Sequence, residues 1–321
     1  MANCCGGVLA AEVSKAGGLG LVGHAASLEG LQNEVEKGRN HLGLRPDEPL
    51  PFGVGLVLWK LESPEVSPDE AASLSSTFLR YVASLAPHSV WLSFSPDLDK
   101  WVARYRQAEL EAAAVARPGR PRAFVWVMAS ETRDTLAARA WPGVDVVVAQ
   151  GTESGGHGAS HARGLPLRDL VARVSDRFPP ATRPFLVAAG GVSSATTVEA
   201  VLSEHASVAG VVAGTAFTVA TESLWTERQK ALVVRTASGD ETDRGLEWDE
   251  IRNAMGWPAG VDGRAIRNRT RGRDESLYRE GEAAEGGPNL DEVGTWAGTG
   301  VGDVQAIRPA AEILEDLASR L

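Results

Sequence analysis

Two features of the sequence predict an α/β fold built on a parallel sheet. Short runs of apolar, often β-branched residues recur along the first two-thirds of the chain, and longer amphipathic stretches of helical period separate them. The runs are continuously apolar rather than alternating, the pattern of strands buried on both faces. Repeated β-then-α units of this kind give a sheet wrapped by helices, with right-handed crossovers.

The elements follow in order. A helix is expected over Val8–Ala16, then a strand at Leu19–Gly23 (LGLVG) and a helix at Leu28–Lys37. Strand Gly53–Trp59 (GVGLVLW) precedes helix Pro68–Leu85, and strand Val90–Phe94 (VWLSF) precedes helix Leu98–Ala116. Strand Ala123–Met128 leads to helix Thr132–Ala140, for which Ser130-Glu131 supplies a start signal. Strand Val144–Ala149 leads to helix Leu167–Arg177. Strand Phe185–Ala189 leads through Ser193-Ser194 to helix Ser194–Glu204, and Gly210–Ala213 is the seventh strand. A (β/α)8 barrel needs eight, so the first strand is expected upstream of Met1. Without it, Leu19–Gly23 and Gly210–Ala213 would have open edges.

After Phe217 the alternation stops. Residues 220–290 are rich in Arg, Glu, Gly and Trp, with helix-like pieces at Glu222–Thr236 and Trp248–Met255, and read as a small helical inserted subdomain. The barrel is expected to comprise residues 1–219 and 291–321. The Gly-rich stretch Gly294–Gly302 leads to a last helix within Val304–Leu321, whose Ile307, Ala310, Ile313, Leu314 and Leu317 have helical spacing.

Composition narrows the class. The 321 residues are 43% hydrophobic and 23% charged, which suits a globular protein and not a disordered one. A net charge of −10 argues against a nucleic-acid partner, which needs a basic footprint. The two cysteines, Cys4 and Cys5, are adjacent, a poor geometry for a disulfide or for zinc. No apolar run approaches the roughly 20 residues needed to span a bilayer. No leader pattern opens the chain. A soluble protein of a reducing compartment, the cytoplasm, is expected.

Three motifs carry chemistry. The first is Ala149-Gln150-Gly151-Thr152-Glu153-Ser154-Gly155-Gly156-His157-Gly158, directly after a strand, where barrel active sites are built. Small residues around His157 let a flat ring approach it, and a histidine there can act as a base near neutral pH. The same residues also suit a Gly-rich turn with a solvated or core histidine. His161 offers a second imidazole, but no carboxylate pattern beside it makes a metal site. The second motif pairs Ala188-Ala189-Gly190-Gly191-Val192 with Ala213-Gly214-Thr215-Ala216-Phe217, at consecutive strand ends. Glycine there frees backbone N–H groups for an anion, and the last two strands of a barrel are where phosphate loops recur. Tight βα turns need glycine as well, so each pair alone is weak. The third, Met1-Ala2-Asn3-Cys4-Cys5-Gly6-Gly7, reads by itself as a loop before a helix with a glycine C-cap.

Together these motifs resemble the nitronate monooxygenases, formerly called 2-nitropropane dioxygenases, which are FMN-dependent TIM-barrel enzymes. MANCCGGVLAAEVSKAGGLGLVG resembles that family's first loop, helix and second strand. AQGTESGGHG resembles its active-site loop, VAAGGV and VVAGTAF its paired phosphate loops, and WAGTGVG a stretch after its inserted domain. The resemblance implies that Gln150 and Gly151 contact the flavin's ribityl chain and ring edge. It implies that Ala189, Gly190, Gly191, Gly214 and Thr215 hold the FMN phosphate, and that Met1, Ala2 and Asn3 lie under the ring. His157 falls on the base that takes a proton from a neutral nitroalkane or faces the nitronate. The implied partners are a small-molecule nitronate and O2, with one electron passing to FMN and the flavin semiquinone and substrate radical then meeting oxygen. Three departures stand out: Ser154 replaces the usual Ala, Val127 stands nearest to where the family supplies a polar flavin contact, and the family's first strand precedes the Met-Ala pair with which this sequence begins.

Two other functions share these motifs. One is an NAD(P)H-dependent flavin reductase of the same superfamily, of the enoyl-thioester or quinone reductase kind. The other is a vestigial, non-catalytic flavin-binding protein, which the missing strand and Val127 favour and the intact His157 loop opposes.

Overall fold

A computed structural model describes residues 4–23, 27–62, 68–115, 119–267 and 294–321. Seven parallel strands form one sheet: β1 (Leu21–Val22), β2 (Gly53–Val57), β3 (Ser89–Ser93), β4 (Phe124–Ala129), β5 (Val146–Gln150), β7 (Phe185–Ala189) and β8 (Val208–Val212). They pair in chain order and curl into an open barrel of the (β/α)8 type. Among the described residues β1 pairs only with β2, and β8 only with β7. Helix α1 (Gly7–Lys15) precedes β1, and α2 (Leu28–Leu42), α3 (Pro68–Ser84), α4 (Leu98–Val115), α5 (Thr132–Ala138), α6 (Leu167–Val174), α7 (Ala195–Glu204) and α8 (Thr215–Thr218) fall between or directly after these strands. The chain continues through α9 (Glu227–Arg235) and α10 (Glu247–Ile251), and ends with α11 (Ala310–Ala318). No helix among the described residues is long and apolar enough to cross a membrane.

Strand periodicity sorts the side chains. Val90, Leu92, Val125, Val127, Val147, Ala149, Leu186 and Ala188 join the core that includes Trp101 and Tyr105 of α4 and Leu170 of α6. The alternate residues Trp126, Met128, Val146, Val148, Val187 and Ala189 belong to a separate cluster inside the barrel. Register aligns the inner layers: Trp91 lies beside Trp126, Trp126 beside Val146, and Val146 beside Phe185. Val127 therefore faces the helices. The inward residues of β4 are its neighbours Trp126 and Met128.

Helix ends follow local chemistry. Ser194 caps α7 in a reciprocal box with Thr197, as its sequence suggests. The expected cap at Ser130-Glu131 is absent: Glu131 holds the N-cap position of α5 without a side-chain bond, and the Ser130 hydroxyl donates to Gln150 Oε1 instead. In α11, Ala310, Ile313 and Leu317 are buried, whereas Ile307 precedes the helix and is exposed.

The N-terminal ends of the strands are fastened by Asp145, just before β5. Its Oδ2 accepts from the Val125 amide at 2.9 Å and from Arg106, and its Oδ1 accepts from Arg183 at 3.0 Å. Arg106 also donates to the carbonyls of Gly143 and Ala123. Replacing Asp145 with Asn removes one of the two carboxylates paired with the buried Arg106 guanidinium and leaves Glu109 Oε2, at 2.7 Å, as the other. We expect a loss of about 2 kcal/mol in urea unfolding, the worth of a charged hydrogen bond, and a loss under about 1 kcal/mol would show that Glu109 and the carbonyls suffice.

A second sheet lies over the barrel's open end. It contains β6 (Gly156–Ala159), β9 (Thr242–Gly245) and β10 (Val261–Ile266), antiparallel in the order β6–β10–β9. Residues 220–290 were expected to be helical, and α9 and α10 are, but β9 and β10 are strands. So is part of the glycine-rich loop. GHGA and TDRG have low β-propensity, and they are extended because they pair with β10.

Candidate active site

Gln150 and Ala189 lie side by side at the C-terminal ends of β5 and β7. The Gln150 carboxamide is held at both ends, accepting from Ser130 Oγ at 2.8 Å and donating to the His157 carbonyl at 3.1 Å. The next residues turn tightly. Gly151 N–H donates to the Ala189 carbonyl at 2.8 Å, and a Cβ on Gly151 would stand 2.5 Å from the Leu167 nitrogen. Glu153 accepts from that same amide at 2.8 Å, setting a carboxylate at the N-terminus of α6, where the helix dipole favours it.

Two buried arginines of the second sheet support this loop. Arg244 and Arg264 face each other in register across β9 and β10. Arg244 Nε donates to Asp262 Oδ1 at 2.7 Å, and Arg264 Nε donates to the Thr152 carbonyl at 3.0 Å. Arg244 Nη1 also reaches the Ser154 carbonyl at 3.3 Å. Burial, together with the facing Arg244 charge, pushes the Arg264 guanidinium down to about 10. His161 Nε2 stands 3.5 Å from Arg264 Nη2, which gives it a place in this support.

His157 rides on β6 rather than on a free turn. Opposite it in β10 is Gly263, where a Cβ would come within 2.4 Å of the Trp296 ring and 3.2 Å of His157 Nε2. The imidazole is nearly enclosed, with 9% of its side chain exposed. Its Nε2 lies 2.9 Å from Oδ2 of Asp249, on α10, whose side chain is 2% exposed. The Trp257 indole lies flat on the imidazole, ring centres 3.5 Å apart and planes 11° from parallel. Trp296 leans on it at 4.7 Å, and Phe94 meets it edge-on at 6.5 Å. Burial holds the imidazole below the ordinary histidine value; Asp249 opposes that shift and Arg244 adds to it.

The glycine loops after β7 and β8 meet the segment 298–303. Gly190 and Gly191 have φ of +123° and +70°, conformations that L side chains rarely adopt. A Cβ at Gly190 would stand 3.2 Å from the Gly151 carbonyl oxygen. Thr215 Oγ1 accepts from the Gly298 amide at 2.9 Å, and Ser193 Oγ donates to Asp303 Oδ2 at 2.7 Å. Among the described residues the amides of Gly191 and Thr215 donate to no protein acceptor. An open cleft of about 440 Å³ beside them is lined by Gly191, Ser238, Thr299, Gly300 and Asp303, among others.

The structure thus gathers Gln150, Gly151 and His157 at one mouth, with Ala189, Gly190, Gly191, Gly214 and Thr215 on the adjoining strand ends. Met1, Ala2 and Asn3 lie outside the described residues. Sequence reading did not find Asp249, Trp257, Phe94 or the arginine pair. The one available signal was the clustering of Trp225, Trp248, Trp257 and Trp296 in a segment otherwise polar.

Known proteins match along the whole chain. The family model for nitronate monooxygenase matches residues 1–320. A nitronate monooxygenase of Neurospora crassa is 34% identical over 335 aligned positions, covering 97% of this chain and 84% of that one. Nitronate monooxygenase npaC of Metarhizium robertsii is 32% identical over 332 positions, covering 96% and 85%. Among solved structures, nitroalkane oxidase from Streptomyces ansochromogenes aligns with a TM-score of 0.70 at 24% identity, covering 99% of this chain and 92% of that one. FabK from Thermotoga maritima aligns at 0.68 with 22% identity, covering 100% and 90%. At these identities the two structures speak to the fold alone.

Proposed function

Because the chain belongs to the nitronate monooxygenase family and is therefore an oxidoreductase, we propose that it binds FMN at the barrel mouth and oxidises alkyl nitronates with oxygen, His157 serving as base for neutral nitroalkanes. The observation that carries this reading is a buried imidazole set among aromatic rings, beside two glycine loops in which, among the described residues, the Gly191 and Thr215 amides have no protein acceptor.

The residues present fit such a cofactor. A phosphate needs free N–H donors and little side-chain bulk; Gly190, Gly191 and Gly214 carry no Cβ, and among the described residues the amides of Gly191 and Thr215 donate to no protein acceptor. Gln150, Gly151 and Ala189 would line the ribityl chain and ring edge. Ser154 Oγ is buried without a partner among the described residues and offers a further donor. Met1, Ala2 and Asn3 are assigned to the ring's underside on sequence alone. Residues 1–219 and 291–321 would then carry the cofactor, and residues 220–290 would form the substrate lid.

When bound, FMN supplies the electron transfer and the reaction with oxygen. The chain's own task is to bind, orient and move one proton. A nitroalkane carries its acidic proton on the carbon beside the nitro group, and a neutral imidazole in an enclosed site can take it. A preformed nitronate needs no such step.

The test is direct. The purified protein should show flavin absorbance and consume oxygen with ethyl nitronate in the absence of NADH. Anaerobic NADH oxidation with a quinone or an enoyl thioester, together with inertness toward nitronate, would overturn the reading in favour of a reductase.

A further inference from the structure

We propose that Asp249 and Trp257 are positioning residues for His157: the carboxylate keeps a proton on Nε2 and the indole fixes the ring plane, so that Nδ1 is the nitrogen presented for proton transfer. This rests on His157 being the base, and it adds which atom of the ring works and what aims it.

An imidazole on a strand can rotate about two side-chain bonds, so two contacts are needed to define it. The 2.9 Å contact between Nε2 and Asp249 Oδ2 fixes one edge. The parallel Trp257 indole, 3.5 Å away, fixes the face. A carboxylate accepts only, so the nitrogen beside it carries the proton and the other nitrogen keeps its lone pair. Among the described residues no hydrogen bond engages Nδ1.

Both residues are themselves held. The Asp249 amide donates to the Leu246 carbonyl at 2.9 Å, and its carbonyl accepts from Ala254 at 2.8 Å. Its neighbour Trp248 is fully buried against Trp296. Trp257 is wedged between Trp59 and Phe94, each with ring centres 5.1 Å away. Gly256, at φ +121°, permits this wedge, since a Cβ there would come within 2.6 Å of the Trp59 ring. Among the described residues, the charged groups acting on His157 are Asp249 of α10 and Arg244 of β9, with Lys60 beyond Asp249.

The experiment is nitrogen NMR of ¹⁵N-histidine-labelled, flavin-loaded enzyme, with His157→Asn used to assign the signals. The wild type should show the Nε2-protonated tautomer. Asp249→Asn should disturb that tautomer, lower the imidazole's titration point further, and cut kcat on nitroethane roughly tenfold or more, with oxidation of ethyl nitronate within about twofold. Trp257→Ala admits water to the ring face and should move the titration point the other way, while Trp257→Phe should restore it. Opposite shifts are not expected of two merely structural residues. An Nδ1-protonated wild type, or a tautomer and titration unchanged in Asp249→Asn, would overturn the proposal, and the wild-type tautomer is read without either the Asp249 or the Trp257 variant having to fold. If His157→Asn kept its nitroethane turnover while the tautomer behaved as stated, the base assignment would fall and the positioning would stand.

Discussion

Replacing His157 with Asn is expected to lower turnover of neutral nitroethane by roughly 10²- to 10⁴-fold, the usual worth of a general base, while sparing much of the oxidation of ethyl nitronate. The asymmetry follows because only the neutral substrate must lose a proton from carbon. Steady-state oxygen consumption on the two substrates measures it, and equal loss on both would remove the base role. The pH dependence has a definite sign. Burial is the chief cause holding the His157 imidazole below 6.5, so the neutral, working form persists as pH falls past that value. Nitroethane turnover should therefore fail only at a lower pH than an exposed histidine would give. The unfolded chain, with its ordinary imidazole, takes up the proton first. Acidification below 6.5 thus favours unfolding, down to the folded value.

Gly191→Asp should leave a folded protein without its flavin. The backbone there has φ +70°, which Asp tolerates better than most residues, so strain is the smaller part of the effect. The larger part is a carboxylate set against a phosphate dianion. At about 4 Å such a pair costs on the order of 4 kcal/mol per unit of charge near a protein surface, enough to weaken binding roughly a thousandfold. Gly191→Ala should bind at intermediate strength, since its Cβ would meet Glu153 and Thr299 at 3.4 and 3.5 Å, ordinary contact distances. Flavin absorbance after purification, with circular dichroism as the control for folding, decides the matter. Unchanged FMN content in the Asp variant would displace the phosphate from this loop.

Much of the barrel was legible because its cues are local. The expected Phe185–Ala189 strand matches β7, and the other six barrel strands differ only at their ends. Val127 shows a cue misapplied. Its parity with Val125 places it toward the helices, so Trp126 and Met128 were the residues to weigh for a cofactor contact. Strand β6 shows a cue that is missing. Gly156–Ala159 has no β-branched residue, and only pairing with Val261–Ile266, about a hundred residues on, makes it extended. The Ser130 hydroxyl shows a competition: it could cap α5, yet it bonds Gln150, whose buried amide would otherwise lack a donor.

By itself, the sequence determined a parallel α/β barrel, the glycine loops at consecutive strand ends, and a histidine at the mouth. Burial on both faces demands continuous apolar runs, and tight βα turns demand glycine, so these properties are written in neighbouring residues. Only the tertiary structure decided what surrounds that histidine. Asp249 lies 92 residues further along the chain, and Trp257 further still. Contacts at such separation leave no periodicity to read, because they arise when β6 and β10 pair and carry α10 and Trp257 onto the imidazole.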